Sequence, residues 1–139
     1  MPLASPARTA SLLLPCLILL GCGRGHELPT APVSGKVLVD GQPVPKGQVI
    51  FAPEQGRAAT GILGPDGTFT LSTYRPNDGA VVGKHTVTVI SAEPAADADP
   101  EDIDSPMRWL VPRRYSDPGT SGLEFEVKAE GRNQANFDL

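Results

Sequence analysis

Short stretches in which apolar and polar residues alternate recur along most of this sequence, and they constrain its fold more than any other feature. The clearest stretch runs from Leu123 to Lys128, where apolar residues alternate with charged ones. Such alternation places the apolar side chains on one face of a β-strand and the polar side chains on the other. Comparable stretches contain Val37, Val39, Val49, Phe51, Phe69, Leu71, Val87 and Val89.

Turn sequences separate these stretches. Asp40-Gly41, Asp66-Gly67 and Asp78-Gly79 are dipeptides that adopt the positive φ angles of tight turns. No segment of the sequence carries a sustained apolar stripe with the 3.6-residue period of a helix. The pattern therefore predicts an all-β domain, an antiparallel β-sandwich of about seven strands.

Length and charge limit the function classes that this domain can serve. A chain of 139 residues has enough material for one modest hydrophobic core. Its net charge of -4 and its isoelectric point near 5.1 provide no basic stripe that would displace counterions from phosphates. We therefore expect no nucleic-acid partner.

The start of the chain departs from the alternating pattern. Leu12–Leu20 is an apolar run of nine residues, and Arg8 is the one charged residue before it. As a helix, the run would reach only about 14 Å, roughly half the thickness of the hydrocarbon layer of a bilayer. A short positive region followed by such a run predicts a secretory signal peptide.

The end of the apolar run, Leu19-Leu20-Gly21-Cys22, resembles the lipobox of bacterial lipoproteins. The resemblance implies removal of residues 1–21, attachment of acyl chains to Cys22 and a permanent membrane anchor. An ordinary signal followed by an incidental cysteine is the alternative. Residues 22–32 are then expected to form a tether, and Gly23, in place of the aspartate typical of inner-membrane retention, favours the outer membrane.

Residues 33–51, VSGKVLVDGQPVPKGQVIF, resemble the start of carboxypeptidase regulatory-like domains, and the resemblance continues through Gly61 to Thr73. More broadly, residues 33–139 resemble short bacterial lipoproteins of unassigned function that carry such a domain. The resemblance implies a transthyretin-like (prealbumin-like) sandwich over 33–139, with a long loop at 91–121. Its motifs consist mostly of turn residues, so they indicate a fold and no activity.

The residue types needed for catalysis are scarce in this sequence. Its two histidines are His26, in the expected tether, and His85, at the start of an expected strand. Neither belongs to a spacing typical of zinc peptidases. We interpret His85 as a structural residue, half-buried at a sheet edge, and we expect no catalytic residue, no cofactor and no enzymatic activity.

The first half of the expected loop at 91–121 is acidic. Asp97, Asp99 and Glu101 are spaced like the opening of a calcium loop, although Asp102 stands where such loops carry glycine. A solvated, mobile acidic run is the default interpretation. The alternative is a calcium site, which would make the chain a small calcium-dependent accessory enzyme or sensor.

The second half of this loop gathers the only tryptophan, one of the two tyrosines and three arginines. These residue types dominate the energetics of protein interfaces. They either cover one open end of the sandwich or bind a partner. On the second interpretation the chain is a non-catalytic binding or structural module of the cell envelope, with an envelope protein or a glycan as partner. The candidate partner-binding residues are Arg108, Trp109, Arg113, Arg114 and Tyr115.

Overall fold

A computed structural model describes residues 25–139, and this part of the chain is an all-β structure. Strands make up 45% of it, and it contains no α-helix. Consequently no helix among the described residues is long and apolar enough to cross a membrane. The strands are β1 (Thr30–Ala31), β2 (Val33–Val39), β3 (Gln42–Pro43), β4 (Gln48–Pro53), β5 (Ala59–Ile62), β6 (Thr68–Thr70), β7 (Ala80–Val81), β8 (Gly83–Ile90), β9 (Ala92–Pro94), β10 (Met107–Trp109), β11 (Leu123–Val127) and β12 (Asn133–Asp138).

Two larger sheets organise the described residues. The first is antiparallel throughout, with the strand order β11-β8-β4-β5. The second has the order β12-β2-β3, and β6 also pairs with β2. Its β12–β2 pair is parallel, which differs from the antiparallel expectation. A parallel pair is feasible there because nearly the whole domain lies between these two strands in the sequence, so no tight turn has to connect them.

Side chains from both sheets enter one hydrophobic core, in a sandwich-like arrangement. Phe51 of β4 is 0% exposed and lies at its centre. Its ring centroid is 5.7 Å from that of Phe125 on β11 and 6.2 Å from those of Phe69 on β6 and Phe137 on β12. The aliphatic residues buried in the same cluster include Val33, Val37, Val49, Leu71, Val87, Val89, Val127 and Ala135. The alternating residues of the sequence thus point inward as predicted.

The structure confirms the predicted turns. Gly41, Gly67 and Gly79 all have positive φ angles, between 76° and 86°. Asp40 also has a positive φ, of 50°, so both central residues of the first turn are left-handed. This backbone matches the right-handed twist of the strands that the turn connects.

Asp78 holds the third turn together. Its carboxylate accepts hydrogen bonds from the amides of Thr73 at 2.7 Å and of Tyr74 and Arg75 at 2.9 Å. Partial burial raises the pKa of Asp78, but the three amide hydrogen bonds stabilise the charged form more, so the pKa lies below its ordinary value. Three amides of the turn thus share the carboxylate of Asp78 as their acceptor.

The ordered domain begins earlier than the sequence indicates. Thr30–Ala31, which the prediction placed in the tether 22–32, pairs as β1 with Ala80–Val81. Gly79 permits this approach, because a Cβ atom there would lie 1.8 Å from the carbonyl oxygen of Ala31. The boundary expected at Val33 is therefore too late, since the small side chain of Ala31 is already buried in the core.

The segment 91–121 contains regular structure. Its strands β9 and β10 form an antiparallel hairpin, and Arg113–Ser116 forms a short 3-10 helix that lies against β8. The amide of Leu110 donates to the carbonyl oxygen of Ser91 at 2.9 Å, next to the open end of the hairpin. The expected long loop is thus a folded hairpin followed by a helical turn.

Candidate functional site

The carboxylate of Glu93 links the β9–β10 hairpin to the loop before β4. Its Oε2 lies 2.7 Å from Nζ of Lys46, in the loop before β4, and its Oε1 pairs with Arg108 on the neighbouring strand. The hydrogen bond from Lys46, followed by the one from Arg108, lowers the pKa of Glu93 to about 2. Arg108 therefore neutralises an acidic residue of its own hairpin.

Trp109 remains partly open to solvent beside this anchored strand. It is 37% exposed, and the guanidinium carbon of Arg113 lies 5.6 Å from the centre of its ring, within cation–π distance. Met107, two residues earlier on β10, shares its side of the strand and is 51% exposed. We name Met107, Trp109 and Arg113 the hairpin patch. A partly exposed tryptophan with a stacked arginine is typical of binding surfaces.

Arg114 and Tyr115 form a separate pair. Tyr115 is buried, and its ring centre lies 4.7 Å from the guanidinium carbon of Arg114. Its hydroxyl accepts a hydrogen bond of 2.6 Å from Nη2 of Arg114. The structure therefore divides the five predicted residues among three arrangements: Arg108 with Glu93, Trp109 with Arg113, and Arg114 with Tyr115.

The acidic residues of the hairpin connection make local turns. Oδ1 of Asp99 accepts from the amide of Glu101 at 2.9 Å, and the amide of Asp99 donates to Oγ of Ser105 at 2.9 Å. The structure does not bring Asp97, Asp99 and Glu101 together: across residues 25–139, no group of three or more His, Cys, Asp or Glu side chains is arranged to hold a metal ion. The calcium alternative gains no geometric support.

His85 lies in a different environment from the expected half-buried edge position. It is 2% exposed and belongs to β8, which is paired on both sides at this point, with Pro53 and with Phe125. Its Nε2 lies 2.6 Å from the carbonyl oxygen of Val81, so Nε2 carries the donated proton. Its Nδ1 is buried and has no hydrogen-bond partner within the described part of the chain.

A pocket of about 410 Å³ lies at one end of the first sheet, where β4, β8 and β11 are adjacent. Glutamates dominate its charged lining, and Lys84 is the one cationic residue there. Sequence reasoning missed this site because Glu124 and Glu126 are indistinguishable from an ordinary solvated strand face until the strand order is known. The lining residues are Ala52, Pro53, Glu54, Lys84, His85, Thr86, Pro118, Glu124, Phe125 and Glu126.

Comparison of this chain with protein-family models, curated proteins and solved structures gave no match. Functional inference therefore rests on the residues and the geometry of this chain. The predicted signal peptide 1–21 and the predicted lipid attachment at Cys22 lie outside the described residues.

Proposed function

We propose that this chain is a membrane-anchored lipoprotein that acts as a non-catalytic binding module of the cell envelope. In this proposal, residues 1–21 are the signal peptide, Cys22 carries the lipid, and a carboxypeptidase regulatory-like (transthyretin-like) sandwich of about seven principal strands presents the binding surface. The hairpin patch is the single observation that carries the binding role. Its partner is an envelope protein or a glycan.

The hairpin patch has the properties of a preorganised recognition surface. The guanidinium of Arg113 lies over the ring of Trp109, and the ion pairs of Glu93 link the hairpin that carries Trp109 to Lys46. Binding then orders few additional side chains, which reduces its entropic cost. A partly exposed indole also leaves apolar surface that a partner can bury.

The anchor is tested by metabolic labelling with a fatty-acid analogue. The thiol of Cys22 is the group that would receive the acyl chains, so Cys22→Ala should abolish labelling and release the protein from membranes. Cys16→Ala is the matched control, because this cysteine lies in the segment that would be removed, and it should label as the unchanged protein does. Labelling that survives in Cys22→Ala would refute the anchor.

The binding role is tested by cross-linking the full chain to its neighbours in intact envelopes. Trp109→Ala should reduce recovery of a specific partner, because losing an interface hot spot weakens binding by about 2 kcal/mol or more, about thirtyfold in the dissociation constant. Ile62→Ala is the matched control because Ile62 is an exposed apolar residue on β5, outside the hairpin patch. Equal recovery with Trp109→Ala and with the unchanged chain would remove the role assigned to the hairpin patch.

A further inference from the structure

One edge of the first sheet is open. β11, Leu123–Val127, pairs with β8 on one side, and no strand of the described part of the chain pairs with its other side. Apart from the pairing with β8, the one hydrogen bond of its backbone within residues 25–139 joins the amide of Leu123 to Oγ of Ser121, at 3.4 Å. An open strand edge presents unpaired amides and carbonyl oxygens that can pair with another strand.

The two faces of β11 differ sharply in chemistry. Leu123 and Phe125 point towards the core but are only partly buried, because no strand lies beyond them. Glu124 and Glu126 point the other way and are exposed. An added strand with apolar residues on its inner face would complete the cover of Leu123 and Phe125.

The outer face at this edge attracts cations. Glu124 and Glu126 line the pocket of about 410 Å³ together with Glu54, which follows β4, and with the single cation Lys84. None of these three glutamates makes an ion pair within 4.0 Å inside the described range. Three carboxylates against one ammonium group leave negative charge for a partner to neutralise.

Charge also argues against a second copy of this chain as the occupant. If two β11 strands paired antiparallel about Phe125, Glu124 of one copy would face Glu126 of the other. Like charges directly opposite each other on neighbouring strands are destabilising. Charge complementarity therefore favours a different chain, one that carries cationic side chains.

We propose that β11 is the docking edge for an extended segment of a partner protein in which basic and apolar residues alternate. The segment adds to the sheet as a strand, with its main chain bonded to the free edge of β11. Its basic side chains lie beside Glu124 and Glu126, and its apolar side chains cover Leu123 and Phe125. This edge is separate in sequence and chemistry from the hairpin patch, so either surface can fail its test without affecting the other.

The test measures binding of a short synthetic peptide of alternating lysine and valine to the full chain in non-ionic detergent. The lysine peptide should bind, and the same peptide with glutamate in place of lysine should not. The double variant Glu124→Gln/Glu126→Gln should weaken binding by about tenfold, because two opposite-charge cross-strand pairs are lost. Glu130→Gln, outside the pocket, is the matched control and should bind as the unchanged chain does.

Backbone methylation separates strand addition from simple charge attraction. The amides of a strand point alternately to its two edges, so methylating either the lysine or the valine nitrogens blocks one edge at a time. One methylated peptide should lose binding, and the other should retain it. Equal behaviour of the two methylated peptides, undiminished binding to the double variant, or self-association of the chain through β11 would each overturn the proposal.

Discussion

Replacing Phe51 by alanine tests whether the two sheets depend on one shared core. Phe51 is 0% exposed, and its ring contacts the rings of Phe69, Phe125 and Phe137, which come from three further strands. Truncating a buried phenylalanine costs about 3–5 kcal/mol, and each aromatic pair contributes about 0.5–1.5 kcal/mol beyond its buried area. Because all three pairs are lost, we expect a decrease of about 5 kcal/mol in the free energy of unfolding. A domain of this size has about 5–15 kcal/mol in total.

The measurement is urea denaturation of the full chain in non-ionic detergent, followed by circular dichroism and by the fluorescence of the single tryptophan, Trp109. Ile62→Ala is the control, because Ile62 is 71% exposed and its loss should change stability by less than about 0.5 kcal/mol. A loss below about 1.5 kcal/mol for Phe51→Ala would refute the central position of this ring. Separate transitions for the two probes would show that the hairpin unfolds independently of the core.

Three further substitutions probe the elements around the sites. The pKa of Glu93 is about 2 in the folded chain, against an ordinary value of 4.5, so its ion pairs stabilise the fold above pH 4.5 and are lost as the pH falls towards 2. The difference in melting temperature between the unchanged chain and Glu93→Gln should therefore shrink between pH 4.5 and pH 2. A constant difference would contradict the ion pairing of Glu93. Gly47→Ala should lower the free energy of unfolding, measured by urea denaturation, by about 2 kcal/mol or more, because Gly47 has a φ of 127° and an added Cβ would lie 2.5 Å from the carbonyl oxygen of Ile90. An unchanged free energy of unfolding would argue against this close approach. Asp78→Ala should lower the free energy of unfolding by about 2–3 kcal/mol in the same assay, since three amides lose their acceptor. Asp78→Asn retains one acceptor oxygen and should lower it by less.

The longer strands could be predicted because their burial pattern is local. Alternation around Val37, Phe51 and Val87 gives the face of each side chain directly, and these residues are buried as expected. β1, β3 and β7 have two residues each, too few to show a period. The early start of the domain at Thr30 could not be predicted for that reason, since it depends on pairing with a strand about fifty residues later in the sequence.

Positions that depend on strand order were not predictable. His85 and Val87 lie on the same face of β8, but the alternation of the sequence does not reveal that β8 has a neighbour on each side. The same limitation hid the pocket, because Glu54 and Glu124 become neighbours only when β4, β8 and β11 are adjacent. For the arginines, residue type identified the segment, whereas the register of the hairpin decided that Arg108 pairs with Glu93.

The two proposed surfaces carry opposite charge, and this difference separates their partners. The hairpin patch is aromatic and carries the guanidinium of Arg113, whereas the β11 edge carries Glu124 and Glu126. A basic segment that suits β11 is repelled by Arg113. The same segment would therefore bind the hairpin patch only with an electrostatic penalty. The hairpin patch and the β11 edge have no residue in common, so the effects of substitutions in them on a partner that engages both should add in free energy. Non-additive effects of Trp109→Ala and Glu124→Gln would instead indicate that the two surfaces form one continuous interface.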